Sequence, residues 1–260
     1  MIFGIQTAYA SEGSISIHLA PSILGHVFGI PITSTLIMTW FVMILLIVFV
    51  IHVRATLSLV PGKIQNAVEL LIGGGFDYIA DSLESKTLAR KYFPLIMTIF
   101  VFILALNWIG LLPGVDSVGI MQQVHGETKL VPFLHPANTD LNLTISFAII
   151  AFFAIEIIGI MSLGFFKYAS KFINFSSPLA FLIGIIELFS ELARLVSFSF
   201  RLFGNIFAGK TLLVIAIFFV PFILPVPILA FEMFVGLIQA FIFAVLTLFF
   251  IKLAIQVPEH

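Results

Sequence analysis

Long apolar runs separated by shorter polar segments dominate the pattern of the chain. Residues 32–53 are apolar over about the 20 residues that a helix needs to cross the hydrocarbon core of a bilayer. Residues 93–112 and 141–166 form two further runs of this kind. Pro113-Gly114 follows the second run as a helix stop signal. We therefore predict three membrane-spanning helices in the first two thirds of the chain.

Two longer apolar runs complete the chain. They cover residues 178–220 and 226–256, and Pro221 and Pro225 lie between them. Each run is longer than the ~20 residues that a perpendicular crossing requires. The pattern therefore predicts two long helices that are strongly tilted or broken.

A different pattern occupies residues 61–92, where charged and amide side chains are mixed with apolar ones. The apolar positions recur at intervals of three and four residues, as at Ile64, Val68 and Leu71. This periodicity indicates an amphipathic helix on the membrane surface, and the glycine triplet at 73–75 is expected to loosen its middle.

These patterns predict an all-α integral membrane protein. It has about five membrane-embedded helices, one amphipathic surface helix, and a last pair of long helices. We find no internal repeat, linker or low-complexity tract, so we expect a single membrane domain over residues 1–260. Residues 1–31 and 113–140 would then lie outside the spans, as an N-terminal segment and a loop.

Composition supports the membrane assignment. Hydrophobic residues make up 61% of the chain and charged residues 10%, with mean hydropathy +1.21, whereas ordinary globular chains are about 25% charged. With 12 basic and 13 acidic residues, there is no basic excess to bind nucleic acid. Cysteine is absent, which excludes thiolate chemistry and cysteine zinc sites. We expect no cofactor and no metal.

The distribution of basic residues predicts the orientation. Residues 54–91 hold five Lys or Arg and residues 167–171 hold two, whereas residues 1–31 hold none and residues 113–140 only Lys129. The positive-inside rule then places the N-terminus outside, the amphipathic helix inside and the C-terminus in the cytoplasm.

Ionisable and amide residues inside the apolar runs are the candidates for function, because a charge at mid-membrane costs roughly 2.5–3.5 kcal/mol. Arginine stays protonated, so Arg201 suits a gate or a counter-ion rather than a proton relay. Glu187 is about 21 Å away from it along a helix, too far to pair. The last two runs contain Glu187, Glu191, Arg194, Arg201, Asn205 and Lys210, and then Glu232, Gln239 and Lys252.

Each candidate also has a purely structural interpretation. Arg201 could extend toward the membrane surface or pair with Glu156 in the third span. The other candidates could also have purely structural roles: an i,i+3 pair for Glu191 and Arg194, interhelical hydrogen bonds for Asn205 and Gln239, and a helix N-cap for Asp140.

Two other classes of membrane protein compete with a channel subunit. A secondary transporter with a midplane ion site would show inverted repeats or short broken helices, and the sequence shows no repeat. An intramembrane enzyme would need a catalytic motif, and neither Gly-x-Ser-x-Gly nor His-Glu-x-x-His occurs. The histidines are expected at edges, loops or span ends: His18, His26, His52, His125, His135 and His260.

Two motifs in the last two runs carry a specific resemblance. Residues 197–209 read SFSFRLFGNIFAG and residues 239–247 read QAFIFAVLT, which resembles the signature pair of subunit a of F-type ATP synthases. Weaker similarity extends the resemblance over most of the chain: VPGKIQN at 60–66 with Glu69, NWIGLLPG at 107–114 and DLNLT at 140–144.

The resemblance implies a non-catalytic, proton-translocating stator subunit. Its last two helices would form a tilted hairpin beside a rotating c-ring, with two offset half-channels that couple proton flow to ATP synthesis. The implied partners are the c-ring, the b subunits of the peripheral stalk and the lipid bilayer, in a hetero-oligomeric complex. The implied location is a bacterial inner membrane, with an organelle inner membrane as the alternative.

The resemblance also implies roles for individual residues. Arg201 would be the essential arginine that faces the carboxylates of the ring. Glu187 and Ser190 match positions of the cytoplasmic half-channel. The external half-channel would include Asn205, Lys210, Glu232 and Gln239, and Asp140 completes the residues assigned to proton translocation.

One departure from the family pattern concerns Lys210 and Glu232. Many members carry an acid or a histidine at the first position, and a histidine or glutamate at the second. We expect Lys210 and Glu232 to form an ion pair across the hairpin, which requires a bend near Gly204 or Gly209. If Lys210 stays charged, only Glu232 can relay protons there.

Overall fold

A computed structural model describes residues 22–27, 29–112, 114–124, 127–172 and 177–256. Among the described residues, seven of the eleven elements are helices, in an order that follows the predicted runs. The elements are β1 (Ile23–Val27), β2 (Ile30–Thr33), α1 (Ser34–Ala55), α2 (Lys63–Leu83), α3 (Lys86–Gly110), β3 (Gly119–Val124), β4 (Glu127–Pro132), α4 (Leu141–Leu163), α5 (Phe165–Ala169), α6 (Pro178–Phe219) and α7 (Pro225–Ile255). Short 3-10 turns at Val115–Ser117 and Ala137–Thr139 flank the second strand pair.

Among the described residues, five helices are long and apolar enough to cross a membrane: α1, α3, α4, α6 and α7. Their outward faces are covered with large apolar side chains. On α1, for example, Ile44, Val48 and Ile51 are each about 60% exposed. Such surfaces are stable against lipid and costly in water. The predicted all-α membrane class is therefore confirmed.

The junction between α2 and α3 differs from the predicted bounds. The amphipathic helix ends at Leu83 rather than at residue 92, because Glu84 adopts a left-handed conformation with φ of 54°. Lys86 then begins α3, so residues 86–92 continue into the second span. The glycine triplet does not interrupt α2, and Gly75 allows close approach of Met97, whose Sδ lies 3.3 Å from a Cβ built at that glycine.

Two antiparallel strand pairs were not predicted. β1 pairs with β2, and β3 pairs with β4 in the loop that precedes α4. In the second pair, a Cβ at Gly119 would overlap the Val131 carbonyl, so glycine permits the close approach of the two strands.

The described part of the chain forms two compact units. The first unit comprises Met1–Val48, Phe102–Leu143 and Leu202–Gln239, and the second comprises Phe49–Val101, Thr144–Arg201 and Ala240–His260. The core of the second unit brings Ile79 of α2, Tyr92 of α3 and Ile155 of α4 together with Leu248 and Ile251 of α7.

Candidate functional site

Arg201 lies on α6 in the second unit and is half-buried. Its guanidinium donates a hydrogen bond to Ser197 Oγ at 3.3 Å, one helical turn earlier. It forms no ion pair with any described residue, and thus none with Glu156. A permanent positive charge is therefore left without a counter-ion in the part of the chain that the structure covers.

The other charged residues on this stretch of α6 are neutralised within the second unit. Glu187 pairs with Lys171 at 2.8 Å, and Glu191 lies 3.7 Å from the same lysine. Arg194 binds Glu191 at 2.7 Å, which confirms the predicted i,i+3 pair. Ser190 lies exposed between these acids on α6.

In the first unit, an amide pair joins α6 to α7. Asn205 Nδ2 donates to Gln239 Oε1 at 2.7 Å, which is the interhelical hydrogen bond left open by the sequence. Gln239 is 1% exposed, and its Nε2 has no partner among the described residues. The pair fixes one register between the two helices.

Glu232 of α7 packs against Gly209 of α6 in the first unit. Its side chain is 3% exposed, and a Cβ at Gly209 would overlap its carboxylate. Glycine is therefore required for this approach. No described cation pairs with Glu232, so its carboxyl group is held buried and without charge compensation between two helices.

Lys210 contacts Asp116 and His135. Its Nζ lies 3.0 Å from Asp116 Oδ2 and 3.0 Å from His135 Nε2, and His135 Nδ1 lies 2.9 Å from Asp116 Oδ1. The predicted ion pair with Glu232 is therefore wrong. The turn at 115–117 and the segment after β4 supply nearer polar partners.

The same three side chains determine the ionisation of Asp116. Partial burial raises the pKa of this carboxyl, but the hydrogen bond from His135 and the positive charge of Lys210 outweigh it, so the pKa lies below its ordinary value. At neutral pH the group is a carboxylate that anchors Lys210.

Several buried amides near Glu232 were missed by the sequence reasoning. Asn107 Nδ2 donates to the Gly236 carbonyl at 2.9 Å, and its Oδ1 accepts from Asn138 at 2.6 Å. Trp108 Nε1 donates to the Met233 carbonyl at 3.0 Å. These bonds from α3 hold α7 at the turn that directly follows Glu232. The sequence signal that could have identified these contacts is Asn107, an asparagine near the end of an apolar run.

A cavity of about 250 Å³ lies in the first unit beside these groups. Asp116 and Lys210 contribute to its wall, together with Asn107 and Asn138. Gly209, against which the Glu232 carboxylate packs, also lines it. The wall is otherwise mainly apolar, so the cavity places a few polar groups close to a buried carboxyl group.

Asp140 is held by two hydrogen bonds. Its Oδ1 accepts from the Asn142 N–H at 2.9 Å, and its Oδ2 accepts from the Thr35 hydroxyl at 2.9 Å. Because α4 begins at Leu141, these contacts favour the helix-capping alternative for Asp140. The residues that the structure covers contain no cluster of His, Asp and Glu suited to a metal ion.

Comparison with known proteins agrees with these features. Residues 36–252 match the family described as ATP synthase A chain. ATP synthase subunit a of Moorella thermoacetica is 32% identical over 234 residues, which cover 90% of this chain and 96% of the relative. ATP synthase subunit a of Campylobacter curvus is 36% identical over 222 residues, covering 85% and 90%. The chain, a multi-pass membrane protein, therefore belongs to the ATP synthase A chain family.

Proposed function

We propose that this chain is the proton-translocating stator subunit of an F-type ATP synthase and forms two offset half-channels against a ring of c subunits. The chain is not catalytic by itself; the nucleotide chemistry belongs to other subunits of the complex. The observation that carries the proposal is the half-buried Arg201 guanidinium, which has no acidic partner among the described residues.

The proposed role of Arg201 follows from its permanent charge. A protonated carboxyl group on the ring that arrives within about 4–6 Å of Arg201 has its pKa lowered and releases its proton. The fixed charge also blocks direct proton flow between the half-channels. Each proton that crosses gains about 2.3 kcal/mol per 100 mV, and this energy drives rotation only if the direct leak is closed.

The proposal assigns two sets of residues to the half-channels. The external half-channel uses Glu232 as its proton-carrying acid, with Asn205 and Gln239 holding the hairpin. Lys210 stays charged beside Asp116 and does not carry protons.

Glu187 and Ser190 line the cytoplasmic half-channel, which accords with an external N-terminus and a cytoplasmic C-terminus.

Purification tests the assembly that this function requires. Extraction of the affinity-tagged chain in mild detergent should co-isolate a c-ring, peripheral-stalk subunits and a nucleotide-hydrolysing sector from a bacterial inner membrane. Recovery of a monodisperse homo-oligomer would instead favour a secondary transporter with a midplane ion site.

A further inference from the structure

The segment between α4 and α6 is held against both helices at two glycines within the second unit. A Cβ at Gly159 of α4 would overlap the ring of Tyr168, and a Cβ at Gly184 of α6 would overlap the Phe172 carbonyl. Both approaches require the absence of a side chain. The two contacts therefore fix where this connecting segment places its polar groups.

The first polar group is the Tyr168 hydroxyl. Tyr168 is 3% exposed and faces Glu156, which lies one turn before Gly159 on α4. Burial raises the pKa of Tyr168, so the phenol keeps its proton. Neither the hydroxyl nor Glu156 Oε1 completes a hydrogen bond of ordinary geometry with a described residue.

The second polar group is the Lys171 ammonium. It binds Glu187 at 2.8 Å and lies 3.7 Å from Glu191, which also holds Arg194 at 2.7 Å. The charged groups that face Glu156 are Glu191, Lys171 and Arg194. Glu187 and Glu191 engage both cations, which leaves Glu156 as the carboxyl group of this cluster without an ion pair among the described residues.

We propose that Glu156 carries an exchangeable proton and is a further proton-transfer residue of the cytoplasmic half-channel. An unpaired carboxylate inside an apolar helix beside another acid is costly, so Glu156 rests in its neutral form. Glu187, by contrast, has an ion-pair partner in Lys171. This assignment rests on the proposed function, since it needs a proton flux toward this cluster.

The transfer step is a simple exchange. The O–H bond of neutral Glu156 breaks and its proton passes to water on the cytoplasmic side. The transient carboxylate, held close to Lys171 and Arg194, then takes up a proton delivered from the ring. The Tyr168 hydroxyl stabilises this carboxylate by donating to it and does not itself lose a proton.

The test compares Glu156→Gln, which cannot carry a proton, with Glu156→Asp, which can. Each is assembled in the complete complex, and ATP-driven acidification of inverted vesicles is measured along with passive proton conduction after removal of the nucleotide-hydrolysing sector. The exposed Glu69 of α2 provides the matched control, Glu69→Gln. Recovery of the c-ring with each variant reports assembly.

Glu156→Gln should slow both fluxes at least about tenfold, whereas Glu156→Asp retains most of the flux and Glu69→Gln matches the wild type. Infrared spectra of the wild-type complex should contain a protonated carboxyl band that disappears in Glu156→Gln. Wild-type flux in an assembled Glu156→Gln complex, or the absence of that band, would overturn the inference.

Failure of this inference can be told apart from failure of the proposed function. If Arg201→Ala abolishes pumping while Glu156→Gln leaves it unchanged, only the role of Glu156 is rejected. If Arg201→Ala pumps like the wild type, the proposed function fails, and the role of Glu156 fails with it.

Discussion

Asp116 Oδ2 lies 3.0 Å from Lys210 Nζ, and this ion pair joins the turn before β3 to the long helix α6. The pair satisfies Lys210 without Glu232, although Glu232 packs against the neighbouring Gly209. The Glu232 carboxyl group is therefore buried without a described cation, while Lys210 is held by an acid outside the span.

Because Lys210 pairs with Asp116 and not with Glu232, substitutions of Lys210 and Glu232 should have different effects. Glu232→Gln should lower ATP-driven acidification of inverted vesicles at least about tenfold, because the proposed function makes Glu232 the proton-carrying group. Lys210→Gln should retain most of the activity, since the proposed function gives Lys210 no proton-carrying role and its partner Asp116 is 45% exposed. The opposite order, with Lys210→Gln inactive and Glu232→Gln active, would reject the assignment.

The lowered pKa of Asp116 predicts a pH-dependent contribution to stability. Its folded-state pKa lies below the ordinary value of 3.8, so the stabilisation is present above that value and is lost as pH falls through the folded-state pKa. Asp116→Asn should therefore lower the melting temperature of the purified complex at pH 7, and the difference from wild type should shrink on strong acidification.

A double-mutant comparison identifies the source of that effect. In a Lys210→Gln background, Asp116→Asn should have a smaller effect at pH 7, because one of the two groups that favour the carboxylate is gone. Equal effects in both backgrounds would show that Lys210 does not stabilise Asp116.

Two glycines on α6 provide a matched pair for the packing of Glu232. A Cβ at Gly209 overlaps the Glu232 carboxylate, whereas a Cβ at Gly204 meets no atom within 4 Å of the chain. Gly209→Ala should displace Glu232 and reduce proton pumping sharply. Gly204→Ala serves as the control for helix propensity, and we expect its thermal stability as an isolated subunit to be unchanged or slightly higher. Equal pumping in the wild type and Gly209→Ala would contradict the close packing.

Asn107 is expected to stabilise the first unit through its buried hydrogen bonds. Asn107→Ala removes the acceptor for Asn138 and the donor to the Gly236 carbonyl, and an unsatisfied buried group costs about 1–3 kcal/mol. Thermal unfolding in detergent should show this loss, while Asn66→Ala on exposed α2 should change stability by less than about 0.5 kcal/mol. Equal melting temperatures for the two variants would contradict the role of Asn107.

The spans were predictable because crossing a bilayer demands a long apolar run, and such a run is visible in sequence. α6 and α7 begin and end within a few residues of the predicted bounds, since the prolines between them interrupt the helix. The end of α2 was missed because it depends on the backbone conformation of Glu84, which no residue type at that position demands.

The contacts of the site were only partly predictable. Spacing along a helix identifies which residues share a face, and it correctly paired Glu191 with Arg194. The partners of Lys210 come from a loop about 75 and 94 residues earlier in the chain, so helix geometry could not identify them. The same holds for Asn107 and His135, because their hydrogen-bond partners become neighbours only when the chain folds.

The central claim is that proton flow is coupled to rotation by the permanent, unpaired charge of Arg201. Arg201→Ala in the assembled complex, followed by ATP-driven acidification of inverted vesicles, tests it most directly. We predict that pumping is abolished although the c-ring and the nucleotide-hydrolysing sector remain attached, and that Arg201→Lys also fails because a partly buried lysine can lose its proton. Pumping at the wild-type rate by Arg201→Ala would contradict the account.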